Sequence, residues 1–180
     1  METPGHAYLA GCRRGDPQAQ RQLYEAYKGP MFRLCLRYAG GREEAEDLLQ
    51  EGFIKVFSDL HQFRGEGPLG GWIRRVILNV ALQHVRRQKQ APAVLDIETV
   101  PDVPDENANS LYIQLRAKAL TALIQQLPVG YRTVFNLFVM EGYSHREIAG
   151  MLDISENTSK SQLSKAKAML RRMLEKSLAS

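Results

Sequence analysis

The residues with the most specific chemistry lie near the C-terminus. Ser144 is followed three residues later by Glu147, the spacing of a capping box. The serine oxygen accepts the amide of the glutamate, and the glutamate carboxylate reaches back to the serine amide. This predicts a short helix beginning at about Ser144, with Ile148, Ala149 and Leu152 as its buried stripe. Asp153 is a short polar residue that tolerates a left-handed turn, and Ser155 is placed to cap a second helix. Two helices joined by a tight turn form a helix-turn-helix, which makes DNA the first partner to consider.

The second helix decides what the first is for. Its apolar positions Leu163, Ala166, Met169, Leu170, Met173 and Leu174 recur every three or four residues, so one face should pack on the preceding helices. From Lys160 to Lys176 the chain carries six bases (Lys160, Lys165, Lys167, Arg171, Arg172 and Lys176) against Glu175, a net +5. That density of cations suits DNA phosphates. A solvated helix whose cations complement its own C-terminal dipole would show the same run. The capped turn in front of it favours the DNA reading.

Enzymatic chemistry finds little to stand on. No cluster of His, Cys and carboxylate side chains has the spacing of a hydrolytic or metal site. Cys12 and Cys35 lack CxxC spacing and neighbouring His ligands, so metal binding is not expected and a reducing compartment is the simpler reading. The glycine-rich stretch His61 to Trp72 lacks the GxxxxGK[ST] order, so nucleotide hydrolysis is unsupported. No cofactor is called for. The neutral stretch Val76 to Val85 is about half the length of a membrane span, and no secretory signal opens the chain, which predicts a cytoplasmic protein without membrane insertion.

The elements that position these residues all read as helices, and no segment alternates with the period of a strand. The 180 residues suffice for one or two small domains, and 44% are hydrophobic. The net charge of +4 conceals an alternation. Residues 40–60 hold two bases and six acids, 61–89 six bases and one acid, and 90–110 five acids and no base. Residues 91–110 add Pro92, Pro101 and Pro104 to that acidity, a composition that cannot bury itself and reads as an exposed linker between domains at 1–90 and 111–180. In the first domain Asp16-Pro17 starts a helix with Leu23, Tyr24 and Tyr27 on one face; Pro30 starts another with Phe32, Leu34 and Leu36; Glu43 to Leu60 forms a third. In the second, Leu111 to Leu127 and a helix opened by Pro128 precede the helix-turn-helix.

Two further stretches have binding chemistry. In the third helix, Glu43, Glu44, Glu46, Asp47, Glu51 and Asp59 decorate Leu48, Leu49, Phe53, Ile54, Val56 and Phe57, more apolar positions than one narrow stripe needs. A protein partner covering Leu48, Gln50, Glu51 and Phe53 would explain an acidic surface that repels phosphate. An ordinary solvated face would explain it equally. After the glycine-rich loop, Trp72 opens a helix with Arg74, Arg75, Asn79, Arg86 and Arg87 around apolar Ile73, Val76, Ile77, Val80 and Leu82. Aromatic and arginine side chains beside a loop suit unstacked bases of a single strand, although a lone Trp near apolar residues reads more readily as core. The amide of Asn79 can bond a base edge.

Taken together, these strings resemble a known family. Glu46-Asp47-Leu48-Leu49-Gln50-Glu51-Gly52-Phe53, Phe63-Arg64, Trp72-Ile73, Asn79 and Arg86-Arg87 look like region two of bacterial sigma factors of the extracytoplasmic-function (ECF) class, within the sigma-70 family. Leu127-Pro128, Tyr131-Arg132, Glu141-Gly142-Tyr143-Ser144 and Glu147-Ile148-Ala149 look like their region four. The resemblance covers almost the whole chain, in order, without the domain that separates these regions in larger sigma factors. It implies an all-α protein of two helical domains that recruits core RNA polymerase to promoters and performs no bond chemistry itself.

By this resemblance, Asp47, Leu48, Gln50, Glu51 and Phe53 face the clamp helices of the polymerase largest subunit, and the polymerase is engaged at those helices and at its flap. Phe63, Arg64, Trp72, Arg74, Arg75, Asn79, Arg86 and Arg87 bind and melt the minus-10 element, holding its non-template strand. Ser144, His145, Thr158, Lys160, Ser161, Gln162, Ser164, Lys165 and Lys167 meet the minus-35 duplex. An anti-sigma factor is an expected partner. The chain departs from the usual recognition-helix spelling Thr-Val-Lys-Ser-Arg-Leu-Ser-Arg-Ala-Arg, with Ser159, Gln162, Lys165 and Lys167 replacing a valine and three arginines. Gln162 would then suit adenine rather than guanine. Leu69 stands where an aromatic is common and Asp153 where glycine is. A DNA-binding regulator with a helical dimerisation domain would share the C-terminal motif, but would not need Asn79, the basic helix and the acidic helix together.

Overall fold

The computed structural model describes residues 6–90 and 119–178, with side chains described over 8–88 and 119–176. Every regular element among them is helical. In order these are α1 (His6–Arg13), α2 (Pro17–Tyr38), α3 (Arg42–Asp59), a 3₁₀ turn (Leu60–Gln62) and α4 (Leu69–Gln90). After the undescribed segment come α5 (119–125), α6 (Val129–Phe135), a π-helical turn (Asn136–Met140), α7 (His145–Leu152) and α8 (Glu156–Leu178). The expected linker at 91–110 and the start of the helix expected from Leu111 lie outside the described residues. The chain divides into two compact units, one from α1 to His84 and the other from Val85 onward, the latter with the short Gly40–Arg42 turn.

The first unit is built around α2. Asp16 caps it, its carboxylate accepting the amide of Gln18 at 2.9 Å, with Pro17 in the first turn. The expected restart at Pro30 does not occur: α2 runs unbroken for 22 residues, roughly 33 Å, with Pro30 inside it. Its buried residues Ala19, Leu23, Met31, Leu34, Cys35 and Tyr38 form one continuous stripe across the proline, whose ring stays exposed. A mid-helix proline costs about 3 kcal/mol. Burial of Met31, Leu34 and Leu36 at about 1.5–3 kcal/mol each offsets it.

In α3 the inward residues are Ala45, Leu48, Leu49, Gly52, Phe53 and Val56. α3 approaches α4 closely at Gly52, where a Cβ would stand 2.8 Å from Cγ1 of Ile77. The half-buried Glu44 carboxylate bonds Nε2 of His84, tying the start of α3 to a late turn of α4. Arg13 at the end of α1 donates to the carbonyl of Phe63 just beyond the 3₁₀ turn.

In the second unit, α6 and α7 pack on α8 around Ile124, Leu127, Val134, Leu137, Ile148, Leu163, Ala166 and Leu170. Buried Arg132 donates from Nη1 to the carbonyl of Gln125 at 3.1 Å, closing the turn between α5 and α6. The π turn ends where the amide of Glu141 reaches the carbonyl of Asn136, five residues back, at 3.0 Å. Leu174, expected on the packing face of α8, is 44% exposed near the helix end.

Candidate nucleic-acid interface

The helix-turn-helix forms as its residues dictate. Ser144 caps α7: its hydroxyl accepts the Glu147 amide at 3.3 Å, and the Glu147 carboxylate accepts the Ser144 amide at 2.8 Å. The Ser144 hydroxyl and amide together hold the Glu147 carboxyl below the usual range. α7 ends at Asp153, which alone among the described non-glycine residues has positive φ, at 53°. Ser155 then accepts the Thr158 amide at 3.0 Å, and α8 begins. The turn is short and capped on both sides, so α8 leaves α7 in a defined direction.

α8 presents two sides. Ser159, Leu163, Ala166 and Leu170 face inward. Asn157, Lys160, Ser161, Ser164, Lys165, Lys167, Arg171 and Arg172 are exposed. Two of the lysines lie over aromatic rings: Nζ of Lys165 is 6.0 Å from the Tyr131 centroid and Nζ of Lys167 is 6.0 Å from that of Phe138. Cations over ring faces are steered without being neutralised. This outward surface, polar toward the start of the helix and cationic along its length, fits a major groove flanked by phosphates.

Two expected minus-35 residues are turned inward. Half-buried His145 stacks on Phe138, with centroids 4.5 Å apart, and hydrogen-bonds Ser159 Oγ at 2.9 Å. Its ring therefore braces α7 against α8. Gln162 turns away from the outward face. Its carboxamide oxygen is buried without a hydrogen-bond partner and stands 3.4 Å from where a Gly130 Cβ would be, against α6. The expectation that Gln162 reads a base does not match this placement. Asn157, which sequence reasoning passed over, is exposed in the first turn.

On α4, Arg75, Asn79 and Gln83 of the first unit are exposed at successive spacings of four, and Arg86 and Arg87, also exposed, follow beyond the unit boundary, with Arg86 donating to the carbonyl of Met151. Gln83 was not expected there. Arg74 is half-buried and Arg64 is exposed in the preceding loop. That loop turns through Gly65 and Gly67 at φ 80° and 96°, conformations that side-chain-bearing residues rarely adopt. Phe63, expected at the DNA, is core at 3% exposure. It packs on Trp72 with centroids 5.6 Å apart, leaving the indole half-exposed.

The acidic helix also sorts into two faces. Leu48 and Phe53, expected in a partner-binding surface, are buried at 2% and 3%. The outward ridge is Glu43, Asp47, Gln50, Glu51 and Ile54, and Ile54 is 65% exposed. The apolar surplus seen in the sequence thus leaves one large apolar side chain among acids. The cysteines are free and buried, and burial pushes the Cys35 thiol up to about 12. Among the described residues no group of His, Cys and carboxylates could hold a metal ion, and no helix is long and apolar enough to cross a membrane.

A helix-turn-helix with a basic outward helix, preceded by a helical unit pairing an acidic ridge with a basic one, defines a DNA-binding transcription protein. Comparison with known proteins narrows the class. Residues 23–91 match the model of sigma-70 region 2, and residues 117–170 that of sigma-70 region 4. The chain is 31% identical over 166 residues to the ECF RNA polymerase sigma factor SigM of Mycobacterium tuberculosis, covering 92% of this chain and 82% of that protein. It is 28% identical to the ECF RNA polymerase sigma factor SigW of Bacillus subtilis, covering 97% and 98%. The fold matches that of the sigma factor RpoE of Bartonella quintana, solved in complex with the anti-sigma factor NepR, with a TM-score of 0.56 at 18% identity, covering 86% of this chain and 96% of that one. The chain belongs to the ECF RNA polymerase sigma factors of the sigma-70 family. It serves promoter-specific transcription initiation and is not an enzyme.

Proposed function

We propose that the two halves of this sigma factor divide its work by surface charge. Residues 1–90 form the unit that docks on core RNA polymerase and opens the minus-10 element; residues 111–180 bind the minus-35 duplex; 91–110 connect them. The polymerase surface is the outward ridge of α3, with Asp47, Gln50 and Glu51 as polar contacts, facing the clamp helices. Leu48 and Phe53 support that ridge from inside. Its negative charge suits a protein partner and turns DNA away.

On α4, Arg75, Asn79, Arg86 and Arg87 follow the displaced strand. Arg64 and Arg74 flank it, and the half-exposed Trp72, backed by Phe63, offers a ring edge to an extruded base. Base flipping costs a few kcal/mol, which stacking at about 1–3 kcal/mol per base and polymerase binding offset. On α8, Lys160, Ser161, Ser164, Lys165 and Lys167 meet the minus-35 duplex. Ser144, His145 and Thr158 hold the helix in place through caps and the His145–Ser159 bond. The observation that carries this reading is the capped, outward-facing basic side of α8.

The DNA and polymerase partners place the protein in the cytoplasm. An anti-sigma factor is a further partner, supported by the Bartonella quintana neighbour having been solved with one. Run-off transcription with purified core polymerase on a genomic fragment library tests the reading. Discrete transcripts should appear only when the protein is added, and it should co-purify with core polymerase in stoichiometric amounts. A protein that binds DNA but neither joins the polymerase nor starts RNA would be a regulator of another class.

A further inference from the structure

We infer that Asn157, rather than Gln162, is the carboxamide through which this protein discriminates a base pair of its minus-35 element, and that the base it selects is adenine. The inference rests on the reading of α8 as the recognition helix. In a helix-turn-helix the first turns of the second helix contact base edges. Asn157, Lys160, Ser161 and Ser164 are spaced i, i+3, i+4 and i+7, hence on one side, and all four are exposed. The opposite side is the packed stripe of Ser159, Leu163, Ala166 and Leu170. Asn157 therefore stands near the middle of the outward face in the turn closest to the groove.

Its neighbours leave the amide available. Ser155, not Asn157, caps the helix, bonding both the amide and the hydroxyl of Thr158, at 3.0 and 2.8 Å. The Asn157 side chain makes no hydrogen bond among the described residues. Asparagine favours caps and turns over helix positions, so local stability gives little reason for it here. Its paired donor and acceptor match the N6 and N7 groups that adenine presents in the major groove. Lys160 and Lys165 reach phosphate as point charges and carry no such pairing. Gln162 has the same chemistry as Asn157, but its oxygen is enclosed against α6.

The test uses holoenzyme assembled from core polymerase and the full chain, transcribing a promoter library randomised through the minus-35 element. The wild type is compared with Asn157→Ala and with Gln162→Met, which keeps volume beside Gly130. Alanine is a better helix former than asparagine, so the first variant should fold, which circular dichroism checks. The expected result for Asn157→Ala is a roughly 10- to 100-fold loss of discrimination for adenine at one position, with other positions nearly unchanged. Gln162→Met should leave the profile intact. A uniform loss with Asn157→Ala would mark a phosphate contact, and either that, an unchanged profile, or loss of one position with Gln162→Met would overturn the inference. A wild-type holoenzyme that transcribes no template defeats the underlying reading and this inference with it; selective transcription lets the variants decide this inference alone.

Discussion

Nδ1 of His145, the first residue of α7, lies 2.9 Å from Oγ of Ser159, a fully buried residue of α8. A polar pair thus occupies the seam of the helix-turn-helix. Removing one partner strands the other. His145→Ala should destabilise the second unit by about 1–3 kcal/mol. A double-mutant cycle with Ser159→Ala, followed by denaturant unfolding, should return a coupling of about 0.5–3 kcal/mol. Additive effects would show that the imidazole acts by stacking on Phe138 alone.

The capping box makes the start of α7 acid-sensitive. The Glu147 carboxyl is held below its usual range by the Ser144 hydroxyl and amide. The stabilisation is therefore complete above the ordinary glutamate range and fades as pH falls through the depressed value. Ser144→Ala should cost about 1 kcal/mol at neutral pH and weaken this acid dependence, measured as Tm against pH. An unchanged pH profile in that variant would contradict the assignment.

Gly52 should not tolerate a side chain. Alanine gains up to about 1 kcal/mol of helix propensity over glycine. However, its Cβ would meet the fully buried, branched Ile77 at 2.8 Å, and overpacking costs about 1–3 kcal/mol. The clash should prevail in Gly52→Ala, and adding Ile77→Val should recover part of the loss in thermal unfolding.

Lys165 is exposed on α8 and should act through charge. Lys165→Ala is expected to weaken promoter binding alike across minus-35 variants and to reduce the logarithmic salt slope by about 1. Titrations at several salt concentrations separate this from a base-specific loss.

The two thiols should be silent in the folded protein. Burial disfavours the thiolate at both, Cys35 most, with its value near 12. A raised value means that stability is lost as pH climbs from the unfolded thiol range, about 8.5, toward 12. Thiol reagents near pH 8 should modify neither cysteine until denaturant is added, and a rapidly reacting equivalent would place one of them at the surface.

Much of this architecture was legible from caps and spacing. Ser144 with Glu147, Asp153 and Ser155 specified the helix-turn-helix because each acts within a few residues of itself. Pro30 misled because the local rule against proline ignores a buried stripe running from Leu23 to Tyr38 on both sides of it. Leu48, Phe53 and Phe63 lie in stretches with binding chemistry and yet are core. Crowded apolar positions on α3 do not declare which of them face inward, and Ile54 is the one left outside. Gln162 could have been placed by spacing: it follows Ser159 by three residues and precedes Ala166 by four, both buried. A family pattern read column by column does not register that spacing.

The contact between Gly52 and Ile77 has a mechanical consequence. Gly52 immediately follows Gln50 and Glu51 on the acidic helix, and Ile77 sits two residues before Asn79 on the basic one. With no side chain on Gly52 to act as a cushion, the backbone of the acidic helix comes directly against a side chain of the basic one. The acidic and basic ridges are therefore borne on two helices with no spacer between them at this point.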